Sequence, residues 1–464
     1  MAKSNGTNYF IVDTSAILRT EDLFQKIIKS SGNILVVTSP VIDELDAFKK
    51  GSDQLNKMAR TAIDWLDENF KSIPDKPLAV KGFSGLLMLK NFVFPTGERV
   101  TDLNLEKADH QIIWVASELK KDYPKSVVTV VSEDKNLRVR AKLLGLEAMS
   151  YIRKENQDSG FKESAFYVKT VKVSDDILSN HYSDVDKGIP RGKVSYAGKP
   201  LPNQGVFFEL KGKKIPFVYD QEENCFREVN IEKTISQIKP RNEEQGFLLS
   251  SLMDPNIRLV VVQGISGSGK TLLSMAAAIE QRSNYHNIYV TRPIIPLNNK
   301  DIGYLPGDQR QKVDPFMQPL WDNLDLIIAS HNSSHEQNLI RGLKNDQADD
   351  KSKAKGKDTN PKMVIQPLAY LRGRSLGSVF FIIDEAQNLT PLEVKTIITR
   401  AGENTKIVFT GDVNQIDTPY LDHESNGLSH LVNKLVSSVN PSAAVHILHK
   451  GERSELANWA NEFL

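Results

Sequence analysis

A glycine-rich segment that ends in a lysine is the clearest chemical motif of the sequence. The segment GISGSGKT follows the apolar run RLVVVQ and precedes LLSMAAAIEQ, which is rich in helix formers. A strand, a loop and a helix are therefore expected in that order. Glycines let successive backbone N–H groups turn toward a phosphate, and the helix start adds the positive end of its dipole. The segment predicts a nucleotide-phosphate site at Gly264, Ser266, Gly267, Ser268, Gly269, Lys270 and Thr271.

The end of this loop and the end of a later apolar run carry side chains that suit phosphate chemistry. In a phosphate loop, the amine of Lys270 reaches the β and γ phosphates and the hydroxyl of Thr271 ligates Mg²⁺. SVFFIIDEAQN is a candidate strand that ends at Asp384 and Glu385. We expect Asp384 to hold Mg²⁺ from its second coordination sphere, while Glu385 polarises the attacking water.

A third apolar run, KIVFTGDVNQID, also ends in polar groups. Its Gln415 can contact the γ-phosphate or the attacking water and so report hydrolysis to moving parts of the protein. Its Asp412 can instead serve only to form the turn.

Five separated motifs of the C-terminal half agree in order with one family. They are PRNEEQ (240–245), TRPIIP (291–296), GYLPGD (303–308), IIDEAQN and GDVNQID. Together they resemble the ATPase domain of PhoH-like proteins, which are RecA-type P-loop enzymes related to superfamily 1 helicases. The resemblance covers residues 240–464 and implies ATP as the nucleotide. It also implies that Gln245 contacts the adenine and that Arg453 is an arginine finger, although an arginine there could equally form a surface ion pair.

The C-terminal half has room for only one P-loop core. A superfamily 1 helicase binds its nucleotide between two such lobes. If Arg453 is a finger, a neighbouring subunit must supply it. The sequence therefore predicts a homo-oligomer, and a hexameric ring is the simplest closed arrangement.

Four acids of the N-terminal third stand where α/β topology would gather them. Asp13 ends the run YFIV, Glu44 follows NILVVTSPVID at a helix start, Asp109 opens DHQIIWVASEL and Asp134 ends SVVTVVSED. Groups at the carboxyl ends of neighbouring strands converge on one crevice. Four carboxylates there would repel one another without cations, so the cluster predicts Mg²⁺ or Mn²⁺. Two such ions about 4 Å apart can activate water and stabilise the leaving oxygen in phosphodiester cleavage.

Each acid also has a purely structural explanation: Asp13 can cap a helix, and Asp109 can favour a helix dipole. The ordered set argues against that explanation. The runs IVDTS, VIDELD, KADHQII and VVSEDKNLRVRAKLLGLEAMSY resemble a PIN-domain nuclease over residues 9–151. The resemblance implies that the four acids form the metal site, so we interpret Asp13 as a metal ligand and not a cap.

Residues around the four acids refine this resemblance. Ser15 and Ser132 stand where PIN domains often have a Ser or Thr that supports the site. Ala108 stands where many PIN sequences have a polar residue, which puts the second metal position in doubt. The remaining nearby acids are interpreted as helix-start or solvated groups; they are Asp43, Asp46 and Glu133.

Alternating strand and helix patterns predict an α/β fold with three parts. Residues 1–152 are expected to form a PIN-like three-layer α/β domain, and residues 239–464 a RecA-like P-loop ATPase domain. The polar stretch 343–360 is expected to be a mobile insertion in the latter. Residues 153–238 are expected to form a small β-rich module. Its aromatic residues interleave with lysines, as in a nucleic-acid surface, but a role as its core is favoured; they are Tyr196, Phe207, Phe208, Phe217 and Tyr219.

Composition describes a soluble globular protein: 464 residues, 40% hydrophobic and 25% charged. We find no signal peptide and no apolar run long enough to cross a bilayer, and a reducing cytoplasm fits best. With Cys225 as the only cysteine, an internal disulfide and a cysteine-rich zinc site are excluded. The net charge of +1 gives no strong bulk attraction to nucleic acid, but local basic patches are compatible with it.

The order of the two resemblances suggests a functional hypothesis. A PIN domain followed by a PhoH-like ATPase resembles a fusion in which an ATP-driven RNA motor feeds a ribonuclease. The expected partner is single-stranded RNA, with Arg292 and the basic β-rich module as candidates for strand contacts. Two alternatives remain open: an ATP-switched RNA-binding or remodelling factor with an idle PIN domain, and a DNA helicase–nuclease.

Overall fold

The computed structural model describes most of the chain in two compact units. It describes residues 7–20, 22–49, 54–70, 75–95, 103–151, 166–183, 187–294, 309–343, 362–371, 376–418, 421–423 and 425–452. The first unit comprises Met1–Asp158 and Pro419–Ser425, and the second comprises Ser159–Thr418 and Asn426–Leu464. Residues 344–360, most of the predicted insertion, lie outside the described part.

The first unit is built on a six-stranded sheet of order β3-β4-β2-β1-β5-β6. All neighbours are parallel except β3 and β4. Its strands are β1 (Asn8–Val12), β2 (Asn33–Thr38), β3 (Leu78–Ala79), β4 (Leu86–Lys90), β5 (Val127–Val131) and β6 (Glu147–Met149). Its helices are α1 (Thr14–Ile17), α2 (Leu23–Ile28), α3 (Ser39–Phe48), α4 (Gln54–Asn69), α5 (Ala108–Asp122) and α6 (Lys135–Leu143).

The central strands of this sheet are almost wholly apolar because helices cover both faces. Ile11, Val36 and Val130, one from each of β1, β2 and β5, are fully buried. Strand β1 lies between β2 and β5, and Val12 pairs with Val131. The residues that follow these three strands therefore meet at one edge of the sheet, as the sequence predicts.

The β-rich module predicted between the two α/β parts forms a separate five-stranded sheet of order β7-β9-β10-β11-β8. Its strands are β7 (Lys169–Lys172), β8 (Ile189–Pro190), β9 (Gly205–Leu210), β10 (Lys213–Asp220) and β11 (Cys225–Glu228). Helix α7 (Asp175–Ser183) and the short 3-10 turn Arg191–Lys193 accompany them. By its contacts the module belongs to the second unit. The rings of Phe207 and Phe247 lie 5.4 Å apart, and Asn203 Nδ2 donates to the Pro441 carbonyl over 2.7 Å.

The aromatic residues of this module are buried, which decides between their two explanations. Phe208 and Phe217 stack with ring centroids 4.5 Å apart, and Phe226 packs on Phe208. Tyr196, Phe207 and Tyr219 are also buried. These rings form the module's core, so the suggestion that they form a nucleic-acid surface is wrong. The consecutive lysines Lys213 and Lys214, at the start of β10, are both exposed.

The rest of the second unit is a six-stranded, wholly parallel sheet of order β14-β13-β15-β16-β12-β17. Its strands are β12 (Leu259–Gly264), β13 (Asn287–Thr291), β14 (Lys362–Ile365), β15 (Val379–Ile383), β16 (Lys406–Gly411) and β17 (Ala443–Leu448). Its helices are α8 (Glu243–Met253), α9 (Lys270–Glu280), α10 (Gln309–Ser330), α11 (Ser334–Leu343), α12 (Pro391–Ile398) and α13 (Gly427–Ser437). Short 3-10 turns span Arg282–Asn284, Leu368–Leu371 and Ala386–Asn388.

The structure confirms the predicted α/β fold class. Both α/β parts have sheets that are parallel, apart from the β3–β4 pair, with helices following the strands, the arrangement that brings polar groups to the carboxyl edge. Among the described helices of the chain, none is long and apolar enough to cross a membrane.

Candidate functional sites

The phosphate loop has the geometry that its glycines predict. Strand β12 ends at Gly264, and helix α9 begins at Lys270. Gly267 and Gly269 have φ angles of 79° and 87°, which residues with a Cβ rarely adopt. A Cβ on Gly264 would lie 2.6 Å from the carbonyl oxygen of Leu448. Gly267 and Gly269 therefore allow the positive φ angles of the loop, and Gly264 allows the close approach of Leu448.

Lys270 folds onto the loop that precedes it. Its Nζ donates to the carbonyl oxygens of Gly264 and Ile265 over 2.7 and 2.9 Å, and to Ser268 Oγ over 3.4 Å. The side chain is buried. The ammonium group of Lys270 thus contacts three residues of the loop in which the phosphate is expected to bind.

Asp384 connects this loop to the neighbouring strand. Its Oδ1 accepts from the hydroxyls of Thr271 and Thr410, each over 2.7 Å. Only 6% of Asp384 is exposed. The predicted pair Thr271 and Asp384 is therefore in direct contact. Thr410 was not identified from the sequence, although a lone threonine near the end of the apolar run KIVFTG was a usable signal.

Glu385 follows directly and is held by two partners. Its Oε1 forms an ion pair with an Arg292 guanidinium nitrogen at 3.0 Å, and its Oε2 accepts from Gln387 Nε2 over 2.5 Å. Burial raises the pKa of Glu385, and the negative charge of Asp384 raises it further. The Gln387 hydrogen bond and the positive charges of Arg292 and Lys270 oppose that rise in the pKa.

Gln387 links the two predicted strand-end motifs and was not assigned from the sequence. The side chain is fully buried. Besides Glu385, its Nε2 reaches the Gln415 carbonyl oxygen over 2.8 Å, and its Oε1 accepts from Asp412 N over 3.1 Å. The sequence signal was its place in IIDEAQN, next to the two acids.

The glutamine and aspartate of the third motif differ in what the structure shows of them. The side chain of Gln415 is exposed. Its contact with the γ-phosphate stays a prediction. Asp412 is buried, and its Oδ1 accepts from Asn414 N over 3.0 Å. That contact is the turn-forming role considered for this aspartate.

Gln245 lies against the phosphate loop. Its Nε2 donates to the Ser268 carbonyl over 3.1 Å, and its Oε1 accepts from Arg241 N over 2.8 Å. The structure thus shows this side chain in contact with backbone, and its adenine contact stays a prediction. Arg453 lies outside the described residues. Immediately before it, Glu452 N donates to the Gly267 carbonyl over 3.0 Å.

At the first unit's sheet edge, Asp13 is surrounded by hydroxyl groups. Its Oδ2 accepts from Ser15 Oγ, from Ser15 N over 3.2 Å and from Ser132 Oγ over 2.8 Å. The bond from Ser15 N makes Asp13 the N-cap of α1. The interpretation that Asp13 is not a cap is therefore wrong, because its Oδ2 caps α1. The interpretation of Asp13 as a metal ligand stays a prediction. Both serines predicted to support the site do contact Asp13.

The other three acids reach this edge from different elements. Glu44 lies in the middle of α3 and not at its start as expected, and Thr14 Oγ1 donates to its Oε2 over 2.5 Å. Asp109 is in the first turn of α5. Asp134 caps α6, since its Oδ1 accepts from Asn136 N over 2.7 Å.

The four acids are close enough to influence one another's ionisation. Burial raises the pKa of Glu44, and the charges of Asp13 and Asp109 add to that rise, while the Thr14 hydrogen bond opposes it. Burial also raises the pKa of Asp109, with added contributions from Asp13 and Asp134. Among the described residues, however, no three acidic, histidine or cysteine side chains converge as the ligands of one ion. The structure thus brings the acids to one edge without a compact ligand set.

The neighbouring acids separate into two kinds. Asp43 and Asp46 are exposed, in agreement with the interpretation of both as solvated. Glu133 is only 2% exposed, and it accepts from Ser150 Oγ over 2.5 Å and Tyr151 N over 3.0 Å. Its interpretation as a helix-start or solvated acid is wrong, because it ties the loop after β5 to the end of β6.

These features define a P-loop NTPase-type domain joined to a nuclease-like α/β domain. Comparison with known families agrees: residues 237–463 match the model of the PhoH-like protein, and residues 10–152 match the PIN domain. Protein PhoH2 of Bacillus subtilis (strain 168) is 31% identical, over 98% of this chain and 99% of its own length. The chain belongs to the family of PhoH-like proteins that carry an N-terminal PIN domain.

Two further relatives share both parts. Protein PhoH2 of Thermobispora bispora is 28% identical over 99% of this chain and 97% of its own length. Protein PhoH2 of Mycolicibacterium smegmatis is 27% identical over 98% of this chain and 96% of its own length. Both alignments thus extend over the PIN and PhoH-like parts of this chain.

Proposed function

We propose that this protein hydrolyses ATP to move along or unwind RNA, and that it cleaves single-stranded RNA with Mg²⁺ or Mn²⁺. The observation that carries the proposal is the presence of reactive polar groups at the carboxyl edges of two separate parallel sheets. One edge has a phosphate loop beside two acids. The other has four electrostatically coupled carboxylates.

The residues of the first edge suit a magnesium nucleotide. The glycine turns open the loop to a phosphate, and the direct contact between Thr271 and Asp384 brings two oxygen donors together. When bound, Mg²⁺ would offset the charge of the phosphates. Lys270 would exchange its carbonyl partners for phosphate oxygens, and Glu385 would accept a hydrogen bond from the attacking water.

The residues of the second edge suit divalent cations in their chemistry. All the donors are oxygens, and the burial of Glu44 and Asp109 among like charges is unfavourable without a positive ion. When bound, such ions would activate water and stabilise the leaving oxygen of a phosphodiester. Ser132 and Thr14 fix the orientation of Asp13 and Glu44, so these two carboxylates would need little rearrangement.

The proposed assembly is a homo-oligomeric ring, in which Arg453 of one subunit completes the nucleotide site of the next. Its support is that the described residues contain one parallel P-loop sheet, and so one lobe, whereas two-lobed helicases bind the nucleotide between two. Mass measurement with and without a non-hydrolysable ATP analogue tests this. A hexamer is expected, and a strict monomer under both conditions would contradict it.

The direct test of function is incubation of pure protein with end-labelled single-stranded RNA and DNA of the same sequence, with and without ATP and Mn²⁺. We expect metal-dependent RNA cleavage and RNA-dependent ATP turnover. ATP turnover without cleavage would indicate an RNA-remodelling factor with an idle PIN domain. Equal or preferential cleavage of DNA would indicate a DNA helicase–nuclease.

A further inference from the structure

Arg292 is the residue that immediately follows β13, beside the end of β15. Thr291 pairs with Ile383, and Asp384 N donates to the Thr291 carbonyl over 2.8 Å. The residues after these two strands are therefore neighbours at the carboxyl edge. This arrangement brings Arg292 to Glu385, with the charged atoms 3.0 Å apart.

The ion pair restrains the group that should activate water. One oxygen of Glu385 is engaged by Arg292 and the other by Gln387. Its backbone has φ 54° and ψ 38°, the left-handed region that side chains other than glycine rarely adopt. A carboxylate held at both oxygens has little freedom to turn toward a water molecule at the nucleotide.

We propose that Arg292 restrains Glu385 until a backbone phosphate of single-stranded nucleic acid draws the guanidinium away. Arg292 is in this account a positioning residue that makes ATP turnover depend on a bound strand. The inference rests on the proposed ATPase function and names the regulation of its site. Gln387 keeps its bond to Glu385 throughout, so the released carboxylate stays tied to the Gln415 loop.

The chemistry of Arg292 favours a phosphate as the competing ligand. A guanidinium binds carboxylate and phosphate oxygens through the same planar fork of donors, so a phosphate can replace Glu385 directly. The side chain is 27% exposed and is thus open to an incoming strand. Among the described residues Glu385 is its only ion-pair partner, so its release breaks no other charge pair within that part of the chain.

The experiment is steady-state ATP hydrolysis by full-length protein with and without a single-stranded oligoribonucleotide. Arg292→Ala is expected to raise kcat without RNA about fivefold, which corresponds to about 1 kcal/mol, and to abolish stimulation by RNA. The KM for ATP should change little, because Arg292 acts on Glu385. Arg292→Lys keeps the charge and should retain part of both the restraint and the stimulation. Arg400→Ala is the matched control, since Arg400 lies at the opposite end of β15 from Glu385. Its carbonyl accepts from Leu376 N, before the start of that strand.

A further arm identifies the ligand. A peptide nucleic acid of the same bases, which lacks phosphates, should not stimulate the parental protein.

Four results would overturn the proposal: a lower or unchanged basal rate in Arg292→Ala, RNA stimulation that survives there, no RNA stimulation of the parental protein, or stimulation by the uncharged strand. Failure of the parental protein to hydrolyse ATP under any condition would instead refute the proposed function.

Discussion

The two acid-bearing sheet edges differ in what balances their negative charge. At the nucleotide edge, Glu385 pairs with Arg292, and the charge of Lys270 also lowers its pKa. At the nuclease-like edge, Asp13, Glu44 and Asp134 accept hydrogen bonds from hydroxyl or backbone N–H groups. Within the described residues, no lysine or arginine lies at salt-bridge distance from Asp13, Glu44, Asp109 or Asp134. In this described part of the chain, the first edge therefore has a cationic side chain at ion-pair distance from an acid, and the second edge has none.

Asp109 and Glu385 both have raised pKa values, but among the described residues only Glu385 has an ion-pair partner. Arg140 and Lys107 lower the pKa of Asp109, but burial and the neighbouring carboxylates outweigh them and the pKa is raised overall. Burial and the neighbouring carboxylates therefore disfavour the ionised form of Asp109 relative to the unfolded chain. Both edges lie at the carboxyl ends of parallel strands, so topology alone does not set the chemistry; the side chains do.

The largest expected effect comes from removing the ammonium group of Lys270 at the nucleotide edge. Lys270→Ala should lower ATP hydrolysis about a hundredfold, because the ammonium expected to bind the phosphate oxygens is lost. Metal-dependent RNA cleavage measured without ATP should persist. Phosphate release and RNA cleavage are the two measurements, and Lys434→Ala, an exposed lysine of α13, is the control. Normal hydrolysis by Lys270→Ala would refute the assignment of the loop.

Neutralising one acid of the nuclease-like edge should do the reverse. Asp13→Asn is expected to lower RNA cleavage about a hundredfold, since a metal-binding carboxylate is lost while the serine hydrogen bonds remain possible. ATP hydrolysis should be retained. Asp43→Asn, an exposed acid of α3, is the matched control. Cleavage at the parental rate by repurified Asp13→Asn would remove the acidic edge from the mechanism.

A smaller effect separates two roles of Gln245. Because its described contacts are with the backbone of Ser268 and Arg241, Gln245→Ala should weaken binding of ATP and GTP alike, by about fivefold. The measurement is equilibrium titration with a fluorescent analogue of each nucleotide. A loss confined to ATP would show instead that Gln245 recognises the adenine, as the family resemblance implies.

The smallest expected effect is on stability. Because the folded-state pKa values of Glu44 and Asp109 are raised, the folded protein binds more protons than the unfolded chain between the ordinary and raised values. Stability in chelator should therefore fall as pH rises through that interval. At pH 7 in chelator, Asp109→Asn should raise the melting temperature by about 2 °C.

Calorimetry with added Mn²⁺ completes that measurement. The ion should raise the melting temperature of the parental protein more than that of Asp109→Asn, because only the parental site has all its carboxylates. A variant less stable than the parental protein in chelator would show that Asp109 is not under electrostatic strain.

The sequence predicted best what depends on strand ends. The runs around Asp13 and Asp384 are short, apolar and followed by polar residues, so the position of each acid followed from the strand itself. The phosphate loop was equally clear, because its glycines carry the backbone geometry.

Contacts between distant segments could not be predicted in the same way. Whether Arg292 meets Glu385 depends on the order of the strands, which periodicity does not give. Glu44 reaches its edge from the middle of α3, since that helix begins at Ser39 and not at Glu44 as the sequence suggested. The burial of Glu133 depends on Ser150, which is remote in sequence.

We expect the two sheet edges to carry out ATP hydrolysis and RNA cleavage independently of each other. The direct test measures ATP hydrolysis and ATP-free RNA cleavage on the same preparations of parental protein, Lys270→Ala and Asp13→Asn. We predict that each variant loses one activity and keeps the other. Loss of both activities in either folded variant, or parental RNA cleavage by Asp13→Asn, would contradict it.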